Sequence, residues 1–240
     1  MPGNIPYECT IGKPSTSQKA TAPFGPAFYN VVVSSFNELD VTCEECGEEF
    51  KGTVWTAIHA GQDPKLKDIL LGGELNLIMC PKCSHVAYQE HFILYQEPAA
   101  ELVAYIYPSS QQNDEEFLRA SMMANFREAQ AVYKPKDRKD YDPILVFGLE
   151  TFVEMMQAEE ARAEQSQIAQ AICKEKGIPY QLLRPSEARR LQTVRVFPGA
   201  NRENAEIQKG IKQLLEVNPS LDRYAQLAET VSTHLTGLTS

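Results

Sequence analysis

The sequence predicts an α+β protein: an antiparallel sheet bearing a zinc-ribbon-like four-cysteine site, followed by packed helices. Three observations lead there. Between residues 43 and 109, short β-branched and aromatic runs alternate with turn residues. After Pro108 the apolar spacing changes to that of helices. The strand-rich region also carries Cys43-Glu44-Glu45-Cys46 and Cys80-Pro81-Lys82-Cys83, two C-x-x-C pairs.

The elements follow in chain order. Residues 1–39 read as a Pro-rich arm, with prolines at 2, 6, 14, 23 and 26 and the polar run Ser15–Lys19. Phe24, Phe28 and Tyr29 favour docking of its end, and Val31-Val32-Val33 begins a possible strand. Residues 40–177 form the metal-binding domain. Within it, Thr53–Ile58 is a strand, and Leu75, Leu77 and Met79 alternate into Cys80. His85–Tyr95 and Glu101–Tyr107, bounded by Pro98 and Pro108, complete a predicted meander. Asp63-Pro64, then Leu66, Ile69 and Leu70, then Gly72-Gly73, spell a short helix with its start and stop signals.

Asp114 is placed to cap a helix over 115–133, with Phe117, Met122 or Ser121, Phe126 and Ala129 on one face. Asp142-Pro143 opens a second helical signal that runs to Lys176. It is apolar at Leu145, Leu149, Phe152 and Met156, polar over Gln157–Gln167, and apolar again at Ile168 and Ile172. Residues 178–240 read as a mainly helical C-terminal extension, with a strand-like piece at Thr193–Phe197 and helices over 202–217 and 219–236.

The cysteine spacing carries the chemistry. Two thiolates at C-x-x-C spacing sit on one tight turn and grip a metal from one side, so Cys43, Cys46, Cys80 and Cys83 can close a tetrahedron of sulfurs. Zinc suits that set, and a single iron of the rubredoxin kind is the alternative. Four bound sulfurs leave no position for water, so such a metal stabilises folding and does not hydrolyse a substrate. The N-terminus has neither a basic start nor an apolar core, so a cytoplasmic location is expected and disulfides are disfavoured.

These residues carry a family resemblance. The segment from about Asp40 to Lys176 resembles the CpXC domain family, bacterial proteins known mainly from sequence and taken to bind metal. The similarity runs through Val41-Thr42-Cys43, Cys46-Gly47, Val54-Trp55-Thr56, Ile58, Asp63-Pro64 and Leu70-Leu71. It continues through Gly73-Glu74-Leu75-Asn76, Cys80-Pro81, Cys83, Ile93-Leu94-Tyr95 and Tyr105-Ile106-Tyr107-Pro108. The resemblance implies a metal-binding domain with Cys43, Cys46, Cys80 and Cys83 as ligands. Glu44 stands where the family usually has Pro. The resemblance supplies no substrate.

Composition narrows the function. With 43% hydrophobic and 23% charged residues the chain is an ordinary globular protein, and no apolar run is long enough to span a membrane. Its net charge is −9, and residues 43–109 carry 4 Lys/Arg against 10 Asp/Glu. A nucleic-acid reader concentrates cations around its metal, so this balance argues against one. No nucleophile motif and no phosphate-cradling loop is present. The expected function is therefore non-catalytic: a zinc-binding accessory or assembly subunit that meets a protein partner or a second copy. Rubredoxin-like electron transfer is the alternative, and a nucleic-acid-associated regulator comes after it.

Other residues read blandly. His85 is a strand position beside the site, and His59 and His91 lack the setting of acid–base machinery. Cys173 is a buried small hydrophobe and Cys9 a surface thiol. Trp55 and the aromatic residues at 88, 92, 95, 105 and 107 belong to a sheet face. Arg184, Arg189, Arg190 and Arg195 form a solvated basic cluster.

Overall fold

Strand β1 (Ser35–Thr42) pairs antiparallel with β2 (Glu49–His59), and the chain then passes through helix α1 (Pro64–Leu71). A small hairpin of β3 (Leu77–Met79) and β4 (Val86–Tyr88) follows. Strands β5 (Ile93–Glu97) and β6 (Leu102–Tyr107) lead to α2 (Glu115–Ala131), β7 (Ile144–Phe147) and the long α3 (Leu149–Lys176). The remainder is β8 (Tyr180–Leu182), α4 (Pro185–Arg190), β9 (Val196–Pro198), α5 (Asn204–Val217) and α6 (Asp222–Thr236). This computed structural model describes residues 33–200 and 203–236. Most of the N-terminal arm, with Cys9, Phe24, Phe28, Tyr29, Val31 and Val32, lies outside them.

The α+β class holds, with a mixed sheet in the order β1-β2-β5-β6-β7. The meander does not. Strand β2 pairs parallel with β5 and β6 parallel with β7, and each parallel step needs a crossover. Helix α1 and the β3–β4 hairpin fill the first crossover, and α2 fills the second. The run His85–Tyr95 is accordingly two strands in two sheets, with Gln89–Phe92 between them.

Helices cover both sheet faces. Ile93, Tyr95, Leu102, Ala104 and Ile106 point to one face, against Leu70 of α1 and Leu149, Phe152 and Met156 of α3. Leu94, Val103, Tyr105 and Tyr107 point to the other, against Leu118, Met122, Phe126 and Ala129 of α2. Every residue of β6 is buried, which is why its sequence reads as an unbroken apolar run. A third cluster joins Ala169, Ile172 and Cys173 at the end of α3 to Val194, Val196, Ile211, Leu214 and Tyr224. Helix α3 thus runs from the sheet core into the C-terminal core.

Several expectations shift by a residue or a turn. Leu145 lies in β7, not in a helix, and Gly148, at φ +82°, separates that strand from α3. On α2 the inward residue is Leu118, and Phe117 is exposed. On α3 Ala169 and Cys173 accompany Ile172 inward, and Ile168 is exposed. On β3 the pattern is reversed. Ile78 is buried above Gly52 of β2, whereas Leu77 and Met79 face outward.

Candidate metal centre

The two C-x-x-C pairs fold into turns with the same hydrogen bonds. In the first, which joins β1 to β2, Cys43 N–H donates to the Glu48 carbonyl at 2.8 Å and Gly47 N–H to the Cys43 carbonyl at 2.9 Å. In the second, which joins β3 to β4, Cys80 N–H donates to the His85 carbonyl at 2.8 Å and Ser84 N–H to the Cys80 carbonyl at 2.9 Å. Gly47 and Ser84 occupy the same left-handed position, at φ +69° and φ +61°. Glycine enters that region freely, whereas a residue with a Cβ pays roughly 1–2 kcal/mol. Replacing Ser84 with Gly is therefore expected to stabilise the second turn by about 0.5–1 kcal/mol, read as a higher unfolding midpoint. A lower midpoint would contradict it.

Asn76 sets the second turn over the first. It is buried, accepts from Trp55 N–H at 2.7 Å through Oδ1, and donates to the Trp55 carbonyl at 3.2 Å through Nδ2. Its own carbonyl accepts from Gln89 N–H at 3.0 Å. One amide side chain thus extends the hydrogen-bonding edge of β2 toward the β3–β4 hairpin. Asn76→Ala leaves both Trp55 groups without this partner, and a loss of about 1–3 kcal/mol is expected in denaturant unfolding. An unchanged midpoint would show that the hairpin is held otherwise.

The result is a cluster of four sulfurs, all within 4.8 Å of one another. Cys43 Sγ lies 3.6 Å from Cys83 Sγ, and Cys46 Sγ lies 3.7 Å from Cys80 Sγ. A tetrahedron with metal–sulfur bonds of about 2.3 Å has edges of about 3.8 Å, so the donor set fits one ion. Cys43 and Cys80 are buried, Cys46 is half-buried, and Cys83 reaches the surface. The four cysteines singled out from the sequence are the four gathered here.

The electrostatics of the cluster favour a cation at its centre. Burial opposes ionisation of Cys80, but the N–H groups of Cys83 and Lys82 turn toward its sulfur, and its pKa falls to about 7. Cys83 receives the N–H of His85, yet burial and its three thiol neighbours push it up to about 12. Four thiols this close cannot all ionise against one another without a positive charge among them. Lys82 supplies part of that charge from outside. It bridges the two turns through a 3.0 Å ion pair with Glu48.

The remaining candidates sit elsewhere. His85 is exposed and lends the site its backbone alone. His91 Nδ1 lies 3.1 Å from the Phe92 carbonyl, and Glu90 accepts from the N–H and hydroxyl of Ser109, so no His–carboxylate pair forms there. Cys173 is fully buried in the C-terminal core, where burial raises its pKa to about 11. Phe92, Tyr95, Tyr105 and Tyr107 are buried in the sheet core, Trp55 packs edge-on against Phe36, and Tyr88 is exposed on the separate β3–β4 hairpin, so these six residues do not share one open face.

The arginine cluster is not simply solvated. Arg184 grips Asp140 with both terminal nitrogens at 2.5 Å and Glu101 with Nε at 2.9 Å. Arg189 pairs with Glu159 at 2.5 Å and donates to the carbonyls of Ala100 and Glu101. Arg195 donates through Nε to the Leu183 carbonyl, and only Arg190 is exposed. These partners lie far away in sequence, which hid them.

No curated protein and no solved structure matches the chain. Among the described residues, no helix is long and apolar enough to cross a membrane. Residues 41–176, more than half of the chain, match the family described as CpXC protein, a span that begins two residues before Cys43 and ends with α3. That match takes in the four gathered cysteines, a group that could hold a metal ion, and the chain belongs to the CpXC family.

Proposed function

We propose that Cys43, Cys46, Cys80 and Cys83 bind one zinc ion as thiolates, and that the protein is a non-catalytic interaction or assembly subunit. The observation that carries the metal reading is the pair of like turns facing each other with sulfurs at tetrahedral-edge separations. All four positions are filled by protein, so the chemistry supplied is a cross-link between the β1–β2 and β3–β4 turns. The partner reading rests on the outer face of the β3–β4 hairpin. Leu77 pairs across it with Tyr88 and Met79 with Val86, and all four side chains are exposed beside the cluster. Apolar surface of this kind marks contacts with other proteins.

The test is elemental analysis with a visible spectrum, on protein made in a reducing cytoplasm without added metal. One zinc per chain and no colour are expected. One iron with thiolate-to-iron absorption would replace this reading with electron transfer. A correctly folded chain that holds no metal would overturn it.

A further inference from the structure

We propose that the cleft between α3, residues 191–197 and α6 binds a small oxyanion with an apolar body, either a carboxylate or a phosphate monoester. The cleft has a volume of about 340 Å³ and is lined by Arg162, Thr193, Phe197, Arg223, Gln226 and Leu227, among others. Its size is that of a small-molecule site. In a chain of net charge −9, no Asp or Glu lines this cleft, whereas two arginines do.

Those arginines differ from Arg184 and Arg189. Arg184 and Arg189 are saturated by carboxylates and carbonyls. Arg162 forms no ion pair among the described residues. Burial disfavours its charge, Glu159 favours it, and Arg223 and Arg189 oppose it. Glu159 is already held by Arg189 at 2.5 Å. Among the described residues, the Arg223 side chain donates only to Gln226 Oε1, at 3.3 Å. The acid beside it, Asp222, accepts from Gln165 and from Arg223 N–H and does not line the cleft.

A half-buried guanidinium without a carboxylate is costly, and its planar fork matches a carboxylate or phosphate. Thr193, Gln192, Gln226 and Thr230 add neutral hydrogen-bonding groups, and Leu191, Val194, Phe197 and Leu227 provide the apolar wall. The neighbouring cavity of about 230 Å³ is a poorer candidate. It is lined by Glu97, Glu159 and Glu160, whose charges Lys67 and Arg189 already meet.

The experiment is titration calorimetry on the full chain in a low-salt, phosphate-free buffer. The probes are phenyl phosphate, phenylacetate, inorganic phosphate and benzyl alcohol. One site per chain is expected for phenyl phosphate or phenylacetate, and whichever binds identifies the anion. Benzyl alcohol should give no heat, and Arg162→Gln and Arg223→Gln should each weaken binding at least tenfold. Should Arg162→Gln not fold, Arg223→Gln decides alone. Absence of binding by both aromatic anions at millimolar concentration overturns the proposal, as do variants that bind like the parent. Inorganic phosphate binding as tightly as phenyl phosphate overturns the apolar part.

Discussion

Cys80→Ser is expected to abolish metal binding and release the β3–β4 hairpin. Three-residue strands do not persist alone, and this hairpin is tied to the sheet by Ile78, Asn76 and the cluster. Metal binding in small four-ligand domains is worth on the order of 10 kcal/mol of folding free energy, so losing one sulfur should far exceed the cost of an ordinary core substitution. Hydrogen exchange localises the effect. Protection should fall in residues 43–48 and 77–88, while α2 and α5 keep theirs, because they pack in separate cores. Cys173→Ser is the control, since that sulfur is distant from the cluster and should leave metal content unchanged. Full protection of the hairpin in Cys80→Ser would contradict the account.

Arg189→Ala is expected to cost about 2–4 kcal/mol and to loosen the C-terminal segment from the sheet. The side chain is only 11% exposed and its partner Glu159 18%, and its removal leaves Glu159 and two carbonyls without their donor. Arg190→Ala, on the exposed side of the same short helix, should stay within about 0.5 kcal/mol. Equal effects from the two would refute the clamp.

The same joint should respond to acid. Burial opposes ionisation of Glu101, but hydrogen bonds from Ser186 and Arg184 hold its carboxyl below the usual 4.5. Arg184 holds Asp140 below its usual 3.8. Groups lowered in the folded state stabilise it fully above their unfolded values and lose that contribution as pH falls through the folded ones. Limited proteolysis after residue 177 should therefore accelerate below about pH 4. Rates that stay flat from pH 6 to pH 3 would show that these carboxylates do not hold the joint.

The cluster was legible because its geometry is local. Four residues set each turn, and C-x-x-C at 43–46 and 80–83 announces two sulfurs on one side of an ion. Hydrophobic period located most helices and strands. It could not fix strand order, because the parallel β2–β5 pairing depends on an excursion through α1 and the hairpin. It also misplaced β7, since Leu145 continues the helical spacing of Leu149, Phe152 and Met156 and Gly148 is the break. Asn76 went unremarked as a positioning residue, although an Asn just ahead of a short strand is a place where a side chain can replace a missing backbone partner. The arginines were misread because Glu101, Asp140 and Glu159, which neutralise them, are supplied by folding rather than by neighbours in sequence.

The most direct test of the central claim is the intact mass of the full chain under non-denaturing and then denaturing conditions, after purification without added metal. A native mass heavier by one zinc ion, with the metal released on acid denaturation to leave free thiols, is the predicted result. A native mass equal to that of the bare chain, with the β3–β4 hairpin still protected from exchange, would contradict it.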